Sequence, residues 1–364
     1  MIPITNSEHI TIETPGRICL FGDHQDYLQL PVIACAINRK IVLTAKKNNS
    51  GYFEIFMPDV SAKRTINISE TFDVLEPNDF FASTLRVVKR YGCIPNTGYS
   101  IEIKSTIPIN AGVSSSSALV VAWVHFLLTT FGCHKKVTPQ LIAKIAYEAE
   151  VLEHKGPGGR MDEYTIAIGN IIYIDTSKDS DYKTIGTSLD GLILAESGVP
   201  KETIGLLSHV KTNAIKSIDF IKRKHPTFDI KTANLEDYQK YSEEIPKDLK
   251  PYFYAAIKNH CITQKALTVF EDNPTNPKLI GELMNEHHHV LKDYLKITVP
   301  EIDEMIDAAL EAGAYGAKIV GSGGGGSIVA LSPPDKKDLI IKKLLEVGAK
   351  SAYGVTVAEG SKLV

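Results

Sequence analysis

The chain has 364 residues, of which 43% are hydrophobic and 23% are charged, so it has the composition of a globular protein and the length for two domains. Its 40 Lys and Arg side chains nearly balance its 43 Asp and Glu side chains, which leaves a net charge of −3. No overall positive field therefore favours nucleic acid or an anionic membrane surface, and we expect neither as a partner.

Cysteine usage and the apolar runs indicate the cellular compartment of the protein. The five cysteines are scattered and include no C-x-x-C pair, so they predict neither a disulfide framework nor a zinc site. The N-terminus lacks the basic and apolar regions of a signal peptide. No apolar run approaches the ~18 residues that a membrane span needs. We therefore expect a cytoplasmic protein.

A polar loop follows the first apolar strand, which we predict at residues 18–21, just after a Pro15–Gly16 turn signal. The loop consists of Asp23, His24, Gln25, Asp26 and Tyr27. Carboxylates, an imidazole and an amide in one loop can bind the hydroxyls of a polar ligand, because an ionised carboxylate accepts several hydrogen bonds. A turn with a solvated histidine is the alternative. Arg17 could complement either these carboxylates or a phosphate.

The next segments predict a strand-rich region that leads into a serine loop. Strands are expected at 30–37 and 41–45, a hairpin at 51–68, a helix at 79–91 and a strand at 99–107. The serine loop at 107–118 reads I-P-I-N-A-G-V-S-S-S-S-A, and an apolar helix is predicted at 119–131. Such a loop exposes backbone N–H groups at the positive end of a helix dipole, which favours phosphate. A serine-capped turn is the alternative.

An amphipathic helix is predicted at 140–154. Its apolar stripe is Leu141, Ile142, Ile145, Ala146, Ala149 and Leu152. Glu148, Glu150 and Glu153 lie on its flanks, where most acids are simply solvated. The helix ends at K-G-P-G-G, a strong stop signal. Asp162 follows this glycine turn, and we expect its backbone to be held in place. A strand is predicted at 169–176.

A polar segment at 177–184 marks the predicted domain boundary, which gives domains at 1–178 and 179–364. The second half predicts a strand at 191–197, helices at 251–272, 276–292 and 301–312, and a final strand at 354–358. A glycine loop lies at 317–331 between two predicted strands. Four consecutive glycines cost backbone entropy, so we expect close approach to a ligand or another loop. Neither glycine-containing segment shows the Rossmann dehydrogenase arrangement, in which a G-x-G-x-x-G segment opens a helix and an acid follows about 20 residues on.

Three motifs stand in order and together resemble those of the superfamily of galactokinase, homoserine kinase, mevalonate kinase and phosphomevalonate kinase. They are P-G-R-I-C-L-F-G-D-H-Q-D-Y at 15–27, the serine loop, and K-I-V-G-S-G-G-G-G-S at 318–327. The first motif and R-M-D-E-Y at 160–164 are most similar to galactokinases. The chain departs from that pattern at Asp23, where galactokinases have Glu, at Arg160, which replaces an apolar residue, and in its glycine loop, which is nearer to heptose, fucose and mevalonate kinases.

The resemblance implies an α+β fold with two domains, an N-terminal one that carries the phosphate loop and a C-terminal ferredoxin-like one, with the active site in the cleft. It implies ATP and Mg²⁺ as cofactors and transfer of the γ-phosphate to the anomeric hydroxyl of a hexose such as galactose, by a monomer or homodimer. Another sugar, a heptose phosphate, mevalonate, or a non-catalytic sugar and ATP sensor are the alternatives. Arg160 or Lys155 could serve a substrate phosphate.

The resemblance also assigns roles to residues. Asp162 would accept or orient the proton of the attacking hydroxyl, with Arg17 as its partner, and Ser116 (or Ser115) with Glu150 would hold Mg²⁺. Phe81 would contact adenine or pack in the core. The sugar would be held by Asp23, His24, Asp26 and Tyr27. The nucleotide would be held by Asn110, Ala111, Gly112, Val113, Ser114, Ser115, Ser116, Ser117, Gly323 and Gly324.

Overall fold

A computed structural model describes residues 8–177, 181–200, 203–272 and 276–364 of the chain. The strands of the first sheet are β1 (His9–Phe21), β2 (Val32–Lys47), β3 (Tyr52–Met57), β4 (Ala62–Asn67), β5 (Tyr99–Ser105), β6 (Ile171–Ile174), β7 (Tyr182–Gly186) and the C-terminal β12 (Lys362–Leu363). Their order is β12-β1-β2-β5-β3-β4, while β6 pairs with both β2 and β7. The long β2 makes this possible, because its first half pairs with β6 and its second half with β5.

Four helices belong to the first half of the chain: α1 (Phe80–Arg90), α2 (Ser115–Phe131), α3 (Pro139–Tyr147) and α4 (Met161–Ile168). Helix α2 packs against β1 and β2 and is buried on most sides, as its nearly continuous apolar sequence predicts. It begins at Ser115, four residues before the predicted start, so the serines form its first turn. Trp123 lies at its centre and contacts Phe53 and Phe81 edge to face.

The second half contains α5 (Thr203–Lys224), α6 (Leu235–Tyr241), α7 (Lys250–Asp272), α8 (Pro277–Asp293), α9 (Pro300–Glu311) and α10 (Lys337–Glu346). Its strands are β8 (Leu192–Glu196), β9 (Gly316–Val320), β10 (Ser327–Leu331) and β11 (Ser351–Gly354). They form an antiparallel sheet in the order β11-β8-β10-β9. A strand, helices, two strands, a helix and a strand follow one another, which is the ferredoxin-like pattern. The expected α+β fold is confirmed.

The predicted domain boundary at residues 178 and 179 lies outside the described residues. Elements from both sides of it contribute to the first sheet, because β7 pairs with β6 and β12 pairs with β1. Helix α7 also contacts β1, β2 and β7. One hydrophobic core therefore runs through both halves, and a smaller cluster lies around α5, α6 and α7. No helix in the described ranges is both long and apolar enough to cross a membrane.

Several local predictions are wrong, each for a tertiary reason. Pro15 and Gly16 do not form a turn; they lie within β1, where a register shift against β2 accommodates them. The strands predicted at 30–37 and 41–45 are one continuous strand, β2. The strand predicted at 354–358 lies too far along the chain: β11 ends at Gly354, where the prediction begins, and β12 follows only at Lys362.

The helix predicted at 140–154 changes geometry at its end. After α3, residues Glu148–Leu152 form a π-helical turn. This turn shifts the side-chain register, so Leu152, which was assigned to the apolar stripe, is 53% exposed, and Val151 is buried instead. Such π turns within helices occur frequently at functional sites. Here the turn carries Glu150.

Candidate functional site

Arg17 and Asp162 form an ion pair at the centre of the site. Arg17 Nε and Nη2 donate to Oδ1 and Oδ2 of Asp162, each at 2.8 Å, and Nη1 donates to the carbonyl oxygen of Gly112 at 2.5 Å. Burial opposes the charge of Arg17, but the neighbouring Asp162 carboxylate raises the pKa of this guanidinium. This bidentate geometry fixes the Asp162 carboxylate in position and favours its ionised form. Arg17 thereby connects β1, the serine loop and α4.

Ser114 contributes to the same carboxylate. Its hydroxyl donates to Oδ2 of Asp162 and makes no capping hydrogen bond to α2, so the capping interpretation is wrong for this serine. Its backbone is left-handed, with φ at 58°, as is that of Asn110, with φ at 57°. The first N–H groups of α2 have no partner within the helix and point toward the loop, which is the arrangement that binds phosphate.

The serine loop and the glycine loop meet backbone to backbone. A Cβ atom on Gly112, whose φ is +85°, would lie 2.5 Å from the carbonyl oxygen of Val320. A Cβ atom on Gly326 would likewise lie 3.3 Å from the carbonyl oxygen of Ala111. The expectation of close approach is therefore confirmed. Gly323 instead packs against Ile297, whose carbonyl accepts the N–H of Gly324 at 2.8 Å.

Asp26 presents a carboxylate to the site opposite Asp162. Its Oδ1 accepts the N–H of Tyr27 at 2.9 Å, and its Oδ2 faces Gly159, where a Cβ atom would lie only 2.2 Å away. Only glycine fits there, which explains part of the K-G-P-G-G turn. Burial and the nearby Asp162 carboxylate raise the pKa of Asp26 to about 6. Asp26 therefore changes charge near neutral pH.

His24 is bonded within the protein through both ring nitrogens. Its Nε2 lies 3.2 Å from the carbonyl oxygen of Ser322, which can only accept, so Nε2 carries the hydrogen. Nδ1 is then the acceptor for the hydroxyl of Tyr27, at 2.9 Å. Burial lowers the pKa of His24 to about 4, so the imidazole is neutral. His24 thus fixes Tyr27 and the glycine loop relative to the polar loop.

Asp23 forms a buried ion pair that the sequence reasoning missed. Its Oδ2 accepts a hydrogen bond from Nζ of Lys318 on β9, at 2.7 Å, and both side chains are at most 1% exposed. Burial raises the pKa of Asp23, but Lys318 and then His287 oppose it and leave the pKa below its ordinary value. A lysine in the otherwise apolar strand A-K-I-V was the available signal, since an unpaired buried charge is rare.

Two further carboxyl groups lie beside the start of α2. Glu150 comes from the π turn, and Glu163 follows Asp162 on α4 and is 1% exposed. Burial, then the carboxylates of Glu150 and Asp162, raise the pKa of Glu163 well above its ordinary range. Glu163 was not among the predicted site residues, because an acid one position after another acid gives no separate sequence signal.

The predicted residues converge on one cavity of about 370 Å³ between the two halves of the chain. Those that line it are Arg17, Asp23, His24, Asp26, Tyr27, Ser114, Ser116, Ser117, Glu150 and Asp162. Those that do not are Asn110, Ala111, Gly112, Val113, Ser115, Gly323 and Gly324; the glycine loop contributes Gly321 and Ser322 instead. A depression of about 670 Å³ on the open face of the first sheet contains none of them.

Two alternatives from the sequence concern the rim of the cavity. Phe81 is buried against Trp123, with ring centroids 5.6 Å apart, so it packs in the core, and its neighbour Phe80 lines the cavity. Arg160 donates to the carbonyl oxygen of Ser177 at 2.8 Å and is not among the lining residues, whereas Lys155 is.

Comparison with known families matches three segments of the chain. Residues 79–170 match the GHMP kinases N terminal domain, and residues 266–350 match the GHMP kinases C terminal model. Residues 4–47 match the galactokinase galactose-binding signature. The three segments contain the polar loop, the serine loop, Asp162 and the glycine loop.

Two groups of curated proteins are similar over nearly the whole chain. A galactokinase of Haemophilus influenzae is 28% identical over 99% of this chain and 96% of its own length. A mevalonate kinase of Thermococcus onnurineus is 25% identical over 98% of this chain and 95% of its own length.

Solved structures share the fold. A Lactococcus lactis galactokinase in complex with galactose superposes with a TM-score of 0.88 at 21% identity, over 98% of this chain and 95% of that one. A Methanococcus jannaschii mevalonate kinase superposes with a TM-score of 0.71 at 21% identity, over 98% of this chain and 100% of that one. Since the matched segments carry the residues that meet in the cavity, the chain belongs to the GHMP kinases and is a galactokinase-like, ATP-dependent kinase of that superfamily.

Proposed function

We propose that the protein transfers the γ-phosphate of ATP to the anomeric C1 hydroxyl of a hexose, with galactose as the first candidate, to give a sugar 1-phosphate. The observation that carries the proposal is the Arg17–Asp162 pair, which lines the same cavity as Asp26 and the start of α2. The galactose-binding signature covers the polar loop, and the Haemophilus influenzae galactokinase supports the same substrate.

Phosphoryl transfer needs positioning and charge neutralisation more than covalent chemistry. We assign Asp162 to the attacking hydroxyl, which it orients and whose proton it accepts as that hydroxyl becomes acidic during attack. Its side chain is 28% exposed, so a substrate can reach it, while that of Arg17 is 5% exposed. Arg17 holds the carboxylate and adds positive charge beside the transferred group.

We assign recognition of the sugar ring chiefly to Asp26, whose carboxylate can accept hydrogen bonds from hydroxyls. Asp23, His24 and Tyr27 form the wall behind it. Because Asp23 is paired with Lys318 and His24 with Ser322 and Tyr27, these side chains hold the polar loop in shape around the sugar. The sugar would then lie between Asp26 and Asp162.

For ATP we propose the serine loop, residues 110–117, whose backbone N–H groups would face the phosphates, together with the glycine loop. Ser116 and Glu150 would hold Mg²⁺, which would neutralise phosphate charge. The donors fit this ion: Mg²⁺ takes one or two carboxylates and completes its shell with waters and phosphate oxygens.

The test is ADP release from ATP and Mg²⁺ with a panel of acceptors. The panel contains galactose, fucose, an arabinose-type sugar, a heptose phosphate and mevalonate, the last because of the curated mevalonate kinases. We expect the highest kcat/KM with galactose and a phosphorus NMR signal for phosphate on C1. A preference for mevalonate would refute the substrate assignment. So would a preference for a sugar phosphate, whose phosphate Lys155 could bind. No ADP release with any acceptor would favour a sensor.

The remaining proposals concern the protein's surroundings. All five cysteines are free, three of them buried, which supports a reducing compartment such as the cytoplasm. We propose a monomer or homodimer, which sedimentation would distinguish.

A further inference from the structure

Glu163 is a buried carboxyl in the wall of the cavity to which the proposed mechanism assigns no role. It lies in the first turn of α4, directly after Asp162, and is 1% exposed. It nevertheless lines the cavity, together with Ser116, Ser117 and Glu150. Its side chain therefore faces the space where phosphate and cation would meet.

Within the described residues, the charges that act most strongly on Glu163 are negative. Its Oε2 atom is buried and has no hydrogen-bond partner among the described residues. The charged groups that act on it most strongly are themselves acidic: Glu150, then Asp162 and Asp26. Buried polar atoms are nearly always satisfied, so an unsatisfied one indicates a missing water or ion. Glu163 is buried beside these half-buried carboxyl groups, and a buried carboxylate needs a positive partner such as a cation.

We propose that Glu163 is a second carboxylate at the divalent cation site and acts with Glu150 to hold the Mg²⁺ that accompanies ATP. This inference rests on the proposed function, because it places the cation where that proposal does. The inference extends the proposed function by assigning two carboxylates to the ion, a number that Mg²⁺ commonly takes. The hydroxyl of Ser116 and the phosphate oxygens of ATP complete the donor set.

The contrary possibility is that Glu163 only fills space beneath Asp162. A neutral side chain of the same shape would then serve equally well for the cation. Glu163→Gln distinguishes the two, since it keeps the volume and removes the charge. Glu148→Gln is the control: Glu148 lies on the π turn that carries Glu150, is not among the cavity-lining residues, and accepts a hydrogen bond from the hydroxyl of Tyr91 at 2.7 Å.

The experiment measures Mn²⁺ binding by electron paramagnetic resonance, with a non-hydrolysable ATP analogue and no sugar. We expect the Mn²⁺ Kd to rise by about 10- to 100-fold in Glu163→Gln, the range for losing a group that supports a metal site. It should stay within about twofold of the wild-type value in Glu148→Gln. An unchanged Kd in Glu163→Gln, or an equal rise in both variants, overturns the inference.

If Glu163→Gln does not fold, Glu163→Asp tests the same inference, because Asp keeps the carboxylate but its side chain is shorter by one methylene. A Mn²⁺ Kd raised severalfold, with unchanged affinity for the metal-free analogue, supports the inference, and an unchanged Kd overturns it. Because the Mn²⁺ measurement contains no sugar, it tests the role of Glu163 independently of the proposed sugar kinase activity. A protein that phosphorylates no acceptor can still show the Mn²⁺ effect, and an active kinase whose Glu163→Gln variant binds Mn²⁺ normally refutes only the role of Glu163.

Discussion

The Lys318→Met substitution tests the buried ion pair that joins the two halves of the chain. Nζ of Lys318 donates to Oδ2 of Asp23 at 2.7 Å and to the carbonyl oxygens of Ile319 and Cys19 at 2.8 and 3.1 Å. Methionine is similar in volume, so the cavity it leaves is small. The main effect is that Asp23 remains buried without its cation, because the neighbouring His287, whose pKa is lowered to about 3 mainly by burial, is neutral.

Breaking a buried pair by removing one partner costs about 3–5 kcal/mol. We expect a loss of this size in the free energy of unfolding, measured by urea denaturation followed by circular dichroism. The loss should depend on pH. In the wild type the pKa of Asp23 is below its ordinary value, so its stabilising contribution is present above the unfolded pKa, about 3.9, and disappears as the pH falls through the folded pKa.

In the variant, burial raises the pKa of Asp23 with no lysine to oppose it, so the carboxyl destabilises the fold increasingly as the pH rises above the unfolded pKa. The difference between wild type and variant should therefore be larger at pH 7.5 than at pH 4.5. Adding Asp23→Asn to Lys318→Met should recover at least half of the loss. A loss below about 1 kcal/mol, or no recovery in the double variant, would refute the reasoning.

Three further predictions follow from single contacts. Asp162→Asn should lower kcat by about 10²- to 10⁴-fold while the KM for ATP stays within a few-fold, since the proton acceptor is lost and the nucleotide loop is intact; a kcat within tenfold of the wild type contradicts the assignment. Because the pKa of Asp26 is about 6, kcat/KM for the sugar should rise with pH through 6 as the carboxylate forms, and Asp26→Asn should abolish this rise; a rise that persists would show that another group titrates. Gly112→Ala should reduce the urea midpoint and ATP affinity, because its Cβ would lie 2.5 Å from the carbonyl oxygen of Val320. The control is Gly348→Ala, which has a similar φ of +98° but no atom within 4 Å, so an equal effect in both would exclude the backbone clash as the cause.

The residue types at the site could be predicted from local sequence. Arg17, Asp26, Glu150 and Asp162 belong to motifs whose chemistry can be recognised within short segments, and all four line one cavity. The positions of the helices were also largely predictable, because an apolar stripe or an apolar run is a local pattern. These signals depend only on neighbours along the chain.

Roles that depend on distant partners could not be predicted in this way. The serines of the loop look equivalent in the sequence, yet Ser114 donates to Asp162, 48 positions away. Asp23 resembles Asp26 as a possible sugar ligand, but its carboxylate is paired with Lys318, 295 positions away. The π turn exposes Leu152 and places Glu150 at the cavity. An apolar stripe in the sequence does not reveal this change of helical register.

The sequence by itself therefore determined the kinase superfamily, the residue types of the central pair and the two loops that we propose for the nucleotide, because these are carried by short motifs. Only the tertiary structure decided which carboxyl groups of the cavity wall are paired with a cationic side chain and which lie beside other carboxyl groups. That distinction depends on burial and on partners supplied by strands and helices far along the chain, and it separates Asp23, paired with Lys318, from Asp26 and Glu163.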